Sequence, residues 1–170
     1  MIAKPSAAVL SDYMQGYIGK APGNDLVEAF HLTMLESLEL FAKAIGKKHY
    51  RYAEGKWTIE EVLAHIIDTE RIFAYRALTI ARGDKVSLPG YDENAYTPNS
   101  NANNREIQDL IDEYKVVRQS SIYLFWSFAP DVLDIEGTAN NIKVTPRAIG
   151  WMTAGHNVHH NKMLAERYLL

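Results

Sequence analysis

Apolar positions recur in four stretches of this chain at spacings of three and four, the repeat of one helix face. The first stretch carries Leu26, Phe30, Thr33/Met34, Leu38 and Phe41/Ile45 behind an Asn24-Asp25 capping pair, with Gly46 as its stop. The second opens on Thr58-Ile59-Glu60-Glu61, an S/T-x-x-E capping box whose acidic residues suit the positive end of a helix dipole. Its apolar residues, Leu63, Ile66/Ile67, Phe73, Ala77 and Ile80, fall on most sides, so it reads as largely interior up to about Ala81, with Gly83 ending it. A third helix is expected from an Asn103 cap with Glu106 in its first turn. Its stripe runs Ile107, Leu110/Ile111, Tyr114, Val117, Ile122 and Phe125 towards Pro130. Thr145-Pro146 reads as a cap followed by Pro at the first helical position, and the fourth helix continues to the C-terminus. The pattern predicts an all-α, antiparallel or crossover four-helix bundle over residues 1–170 as a single domain.

The connections differ in character. Residues 1–23 hold a short helical segment with Tyr13 and Tyr17, read as a packing stripe, and close on a Pro22-Gly23 turn. Lys47-Lys48-His49-Tyr50-Arg51-Tyr52 reads as a solvated connector. Residues 82–103 show no periodicity, and so long a structureless stretch is either a lid over a site or a polar surface crossover. Within it Tyr91, Asp92 and Asn94 have the mixed aromatic and polar character of a pocket rim. Asp131 to Asn141 is a connector with a short extended piece expected at Val132–Ile135.

Charge and composition narrow the function classes. A net charge of −3 gives no general attraction to nucleic acid or anionic membrane, and no apolar run is long enough to span a bilayer. The start, Met1-Ile2-Ala3-Lys4-Pro5-Ser6, lacks the apolar stretch of a secretory signal, so a cytoplasmic location is the default expectation. With no cysteine there can be no disulfide, thiolate ligand or protein-borne thiol nucleophile.

Three of the six histidines fall within Gly155-His156-Asn157-Val158-His159-His160. His156 and His160 are four apart and lie on the inward seam Ile149, Thr153, His156, His160, Met163, so their imidazoles stack on one face about 6 Å apart at Cβ. That suits two ligands converging on one divalent ion, and a third must come from another helix. His65, on the interior second helix, is the candidate. Asp68, one turn later, would orient that imidazole, ligate directly or accept a proton. His159 lies off the seam by one residue, His31 reads as a packed or surface residue, and Glu70, Arg71 and Arg76 read as solvated or paired charges. Three ligands with an open position is the pattern of a catalytic metal.

Lys56-Trp57-Thr58-Ile59-Glu60-Glu61-Val62-Leu63-Ala64-His65-Ile66-Ile67-Asp68-Thr69-Glu70-Arg71 and Ala154-Gly155-His156-Asn157-Val158-His159-His160 resemble the DinB-like superfamily, as does the Leu88-Pro89-Gly90-Tyr91-Asp92-Glu93-Asn94 segment. The resemblance implies a helical bundle in which His65, His156 and His160 hold a divalent metal, commonly zinc or nickel, with water completing the shell. It also implies a homodimer and a small-molecule substrate. Characterised relatives use a low-molecular-weight thiol as cosubstrate in S-transfer or isomerisation, and others are described as metal-dependent hydrolases. Two enzymatic readings follow, one with a solution thiol and one with water as the nucleophile. The alternative is a non-catalytic metal-binding stress or ligand-binding protein, distinguished by whether the ion keeps an accessible open position.

Overall fold

In the computed structural model, which describes residues 1–6 and 10–169, four long helices make the bundle: α2 (Leu26–Ala44), α3 (Ile59–Ala81), α5 (Ile107–Trp126) and α6 (Pro146–Met163). A short helix, α1 (Asp12–Ile18), packs across α6, and a second, α4 (Glu93–Asn99), lies in the connection between α3 and α5. Helix starts follow local chemistry. Asp25 accepts the Val27 and Glu28 amides, and Thr145 accepts that of Ala148 ahead of Pro146. Thr58 and Glu61 form the complete capping box. The third helix departs from expectation: Asn103 belongs to a 3-10 turn (Ala102–Asn104), Glu106 precedes α5, and no side chain caps it. Asn103 instead accepts from Thr58 Oγ1 and donates to Glu61, pinning the end of the connection to the start of α3.

The core falls into two apolar clusters. One gathers Leu26 and Phe30 of α2, Phe73 and Ile80 of α3, Ile122 and Phe125 of α5, and Ile149 and Trp151 of α6. The other gathers Phe41, Ile59 to Ile67, Ile107 to Tyr114, Leu164 and Tyr168. The N-terminal halves of α2 and α6 therefore share one end of the bundle with the C-terminal halves of α3 and α5. Side by side, α3 packs against α5 and α6, and α2 packs against the same two, so α2 and α3 face each other across the diagonal. A diagonal step is longer than the roughly 8–10 Å between neighbouring helices, which calls for long connections at the ends.

Because α3 and α5 run the same way, residues 82–106 must return the length of the bundle. The stretch expected to be structureless is ordered by that return: β1 (Ser87–Leu88), α4 capped by Asp92, and the 3-10 turn at Ala102 follow one another down α3. The extended piece expected at Val132–Ile135 is a 3-10 turn at Pro130–Val132, and the strands lie later, at β2 (Gly137–Ala139) and β3 (Ile142–Val144). Asn140 and Asn141 take φ of 51° and 60° in the two-residue turn, a conformation asparagine tolerates well. β2 pairs antiparallel to β3 and parallel to β1, which ties the returning chain to the hairpin.

Candidate metal centre

Between the two apolar clusters lies a polar layer contributed by all four long helices. Arg118 of α5 and Glu70 of α3, both fully inside, pair at 2.8–3.1 Å. The other guanidinium donors reach the Phe30 carbonyl, Thr33 Oγ1 and Asn157 Oδ1. Tyr114, Ser37 and Asn161 extend the network, and Asn161 ends it on Glu36. A buried ion pair needs such complete satisfaction of its donors to persist. This layer fixes Asn157 and Asn161 on α6, and with them the rotation of the helix face that carries the neighbouring histidines.

His65, His156 and His160 meet on the other side of that face. The Nε2 atoms of His65 and His156 are 3.1 Å apart and those of His160 and His156 are 3.0 Å apart. One nitrogen from each ring can be chosen so that all three lie within 4.8 Å of one another. With metal–nitrogen bonds of about 2.05 Å, two ligands sit about 3.3 Å apart on a tetrahedral ion and about 2.9 Å apart on one face of an octahedral ion. The two separations made by His156 fall between these values and the third pair stays within 4.8 Å, so a small closure of His65 and His160 around one point fits the three residues to a divalent cation. Burial pushes His65 down to about 4, assisted by His159, and holds His156 and His160 well below the ordinary histidine range, assisted by repulsion from the neighbouring histidines. All three are therefore neutral at pH 7, the form that ligates a metal. The Trp57 ring lies 4.8 Å from that of His65 and Tyr17 lies 5.7 Å from His156, walling the rings. His160 Nδ1 is buried without a hydrogen-bond partner among the described residues.

The histidines open into a cavity of about 260 Å³. Thr69, Phe73 and Arg76 continue the α3 face beyond His65, while Tyr13 and Tyr17 of α1 close one side. The returning chain supplies Tyr91 and Glu93, and the hairpin turn supplies Asn140. Of the expected rim, Tyr91 is in place, 2.5 Å from Thr69 Oγ1 through its hydroxyl, and burial raises it to about 12. Asp92 is turned away to cap α4, and Asn94 borders a second opening of about 220 Å³ that shares Trp57 and His160. Asp68 is not brought to the histidines. Its side chain lies with Arg71, Arg105 and Glu113 in a separate crevice, 3.8 Å from Arg71, because that charged cluster draws the carboxylate to the α5 side of α3. His31 is exposed on α2, and His49 sits 3.4 Å from the buried Glu60.

Sequence periodicity passed over several cavity residues. Tyr13 and Tyr17 read as packing, Arg76 as a paired charge, and Glu93 as one residue of an unstructured loop, while the off-seam His159 borders the cavity from its exposed position. The i, i+4 spacing of Tyr13 and Tyr17 was the available signal for α1, since it places both rings on one face. Trp57, just before the capping box, carried no periodic signal.

Comparison with known proteins agrees with the helical-bundle fold. The chain matches a solved structure of YfiT from Bacillus subtilis, described as a probable metal-dependent hydrolase with an unusual four-helix bundle topology. The match has a TM-score of 0.65 at 15% identity and covers 97% of this chain and 93% of that one, which supports the fold. No curated protein sequence matches significantly. No helix of the described residues is long and apolar enough to cross a membrane. The family model of the DinB superfamily matches residues 36–164, a span that holds all three clustered histidines, and the chain belongs to that superfamily.

Proposed function

We propose that the protein is a metal-dependent enzyme that cleaves a small molecule by hydrolysis, with His65, His156 and His160 as its ligands. The observation that carries this reading is the convergence of three neutral, buried imidazoles, with one nitrogen of each within 4.8 Å of the others, on the wall of a cavity with room for a substrate. A structural site is closed by a fourth protein ligand, and these three histidines are the set that the described residues bring together. Held by His65, His156 and His160, a divalent cation would supply Lewis acidity and would bring the pKa of a water or solution thiol towards neutrality.

The chain's own residues do the rest. Trp57, Phe73 and Tyr17 limit water around the imidazoles and shape the substrate's approach. Glu93 lines the cavity and is proposed as the proton acceptor for the attacking nucleophile, the role first considered for Asp68. Imidazole donors suit zinc, nickel, iron and copper alike, and the family resemblance favours zinc or nickel among them. The description of YfiT favours water over a thiol as the nucleophile.

The test is elemental analysis of untagged protein beside His160→Ala, followed by a screen of ester, amide and thioether-forming reactions with and without a small thiol. About one divalent ion per chain, lost in the variant, and turnover without thiol are expected. Turnover only with thiol would replace hydrolysis by S-transfer. Stoichiometric metal without exchangeable water would favour a non-catalytic binding protein.

A further inference from the structure

Arg76 is 8% exposed, yet no carboxylate of the described residues lies within 4.0 Å of its guanidinium. Its hydrogen bond within the protein runs from Nη2 to the Pro89 carbonyl at 2.7 Å. The contrast with Arg118 is informative. That guanidinium, more deeply buried, has its charge answered by Glu70 and its other donors taken up by carbonyl and side-chain oxygens. Arg76 lines the histidine cavity with guanidinium donors to spare, and the faces of Phe73 and Tyr91, 5.8 and 6.0 Å away, partly offset its charge. Glu93 borders the same cavity but makes no ion pair with it.

Arg76 also lines a neighbouring niche of about 60 Å³ whose walls include Met14, Ile149 and Met152. Tyr13, Phe73 and Asn140 border both spaces, so the guanidinium stands at the junction between the imidazoles and an apolar recess. The Pro89 carbonyl takes one Nη2 donor, and a guanidinium has further donors in a fixed fork that matches a planar or tetrahedral oxyanion.

The geometry points to Arg76 as the recognition residue for an anionic group, a carboxylate or phosphate, on the molecule that enters the histidine cavity, with a small apolar portion of that molecule seated in the recess. The word substrate for that molecule rests on the metal-enzyme reading, and the anion site does not.

Inorganic phosphate and acetate are titrated calorimetrically near pH 7 into the protein, once after chelator treatment and once after zinc loading. The titrations are repeated with Arg76→Gln and Arg76→Lys. The side-chain Nε–Hε resonance of Arg76 in the wild-type protein is followed in parallel. Saturable binding is expected in both states, weakened about ten- to hundred-fold by Arg76→Gln and less by Arg76→Lys, with a saturable shift of the Arg76 resonance. Unchanged affinity in Arg76→Gln, or a silent Arg76 resonance, would overturn the inference. If Arg76 merely braces Pro89, the variants melt lower at unchanged affinity, which also overturns it. Should Arg76→Gln not fold, the wild-type resonance decides. The chelated arm contains no metal, so a failure to bind zinc would leave the anion result standing. Stoichiometric zinc without Arg76-dependent anion binding would overturn only the present inference.

Discussion

Gly155 of α6 and the backbone of Tyr17 are packed so closely that a Cβ on Gly155 would overlap the Tyr17 carbonyl. The glycine immediately before the first helix-α6 histidine is thus what lets α1 lie against α6, and it sets the Tyr17 ring 5.7 Å from His156 and 5.8 Å from His159.

Replacing this glycine separates two opposing effects. In a free helix Gly→Ala is favourable by about 0.5–1 kcal/mol, but the overlap here is with backbone, which no rotamer change relieves. Overpacking of that kind costs typically about 1–3 kcal/mol, so Gly155→Ala is expected to destabilise the protein and loosen the α1 wall. Gly16→Ala, at a helical position with nothing within 4 Å, is expected to stabilise by up to about 1 kcal/mol. Urea denaturation of the two variants checks both signs. A Gly155→Ala protein as stable as wild type would mean that α1 is not seated there.

Breaking the Glu70–Arg118 pair leaves a buried charge without its counterion. Glu70→Gln and Arg118→Met are each expected to cost about 3–5 kcal/mol, and the double variant less than their sum. A double-mutant cycle by chemical denaturation measures the difference, and additive losses would show that the two side chains do not act as a pair.

The metal-free protein should lose stability on mild acidification. Burial lowers His65 from the ordinary 6.5 to about 4, with His156 and His160 also lowered, so between these pH values the unfolded chain binds more protons than the folded one. Stability therefore rises with pH across that window and falls away as pH drops from about 6.5 towards 4. His65 alone accounts for on the order of 3 kcal/mol. Denaturation curves of chelated protein at pH 7, 6 and 5 should show the loss, and a flat profile would contradict the buried neutral imidazoles.

Metal should act as a stabilising ligand. Zinc at a hundredfold excess over its dissociation constant adds about 2.7 kcal/mol to the folded state, which raises the melting temperature, and a chelator reverses it. His156→Ala and His160→Ala are expected to abolish that increment, whereas Asp68→Asn, in its separate crevice, should leave it intact. Scanning calorimetry with and without zinc reads all three, and an undiminished shift in His160→Ala would remove that residue from the ligand set.

Local signals carried much of the fold. The 3.6-residue repeat, the Thr58/Glu61 capping box, Asp25, and Thr145 before Pro146 depend on neighbours within one turn, and the four long helices begin or run where those signals stand. The spacing of His156 and His160 likewise follows from helix geometry alone, and an interior helix was enough to make His65 the candidate to meet them.

Contacts distant in sequence decided the rest. Asp68 was placed with His65 by helical spacing, but a carboxylate settles where opposite charge and solvent lie, and Arg71, Arg105 and Glu113 are on its side of α3. Glu70 and Arg118 are 48 residues apart, and nothing local marks them as partners until the bundle places them together. Arg76 lacks any local mark of its exceptional position. Residues 82–106 lack periodicity because their register is set by β2 of the hairpin, by Glu61, Thr69 and Arg76 of α3 and by its cap Thr58, not by a repeat of their own. Spacing along one helix determined which residues share a face in this protein, whereas the diagonal order of the helices, through long-range packing and charge pairing, decided what each face meets.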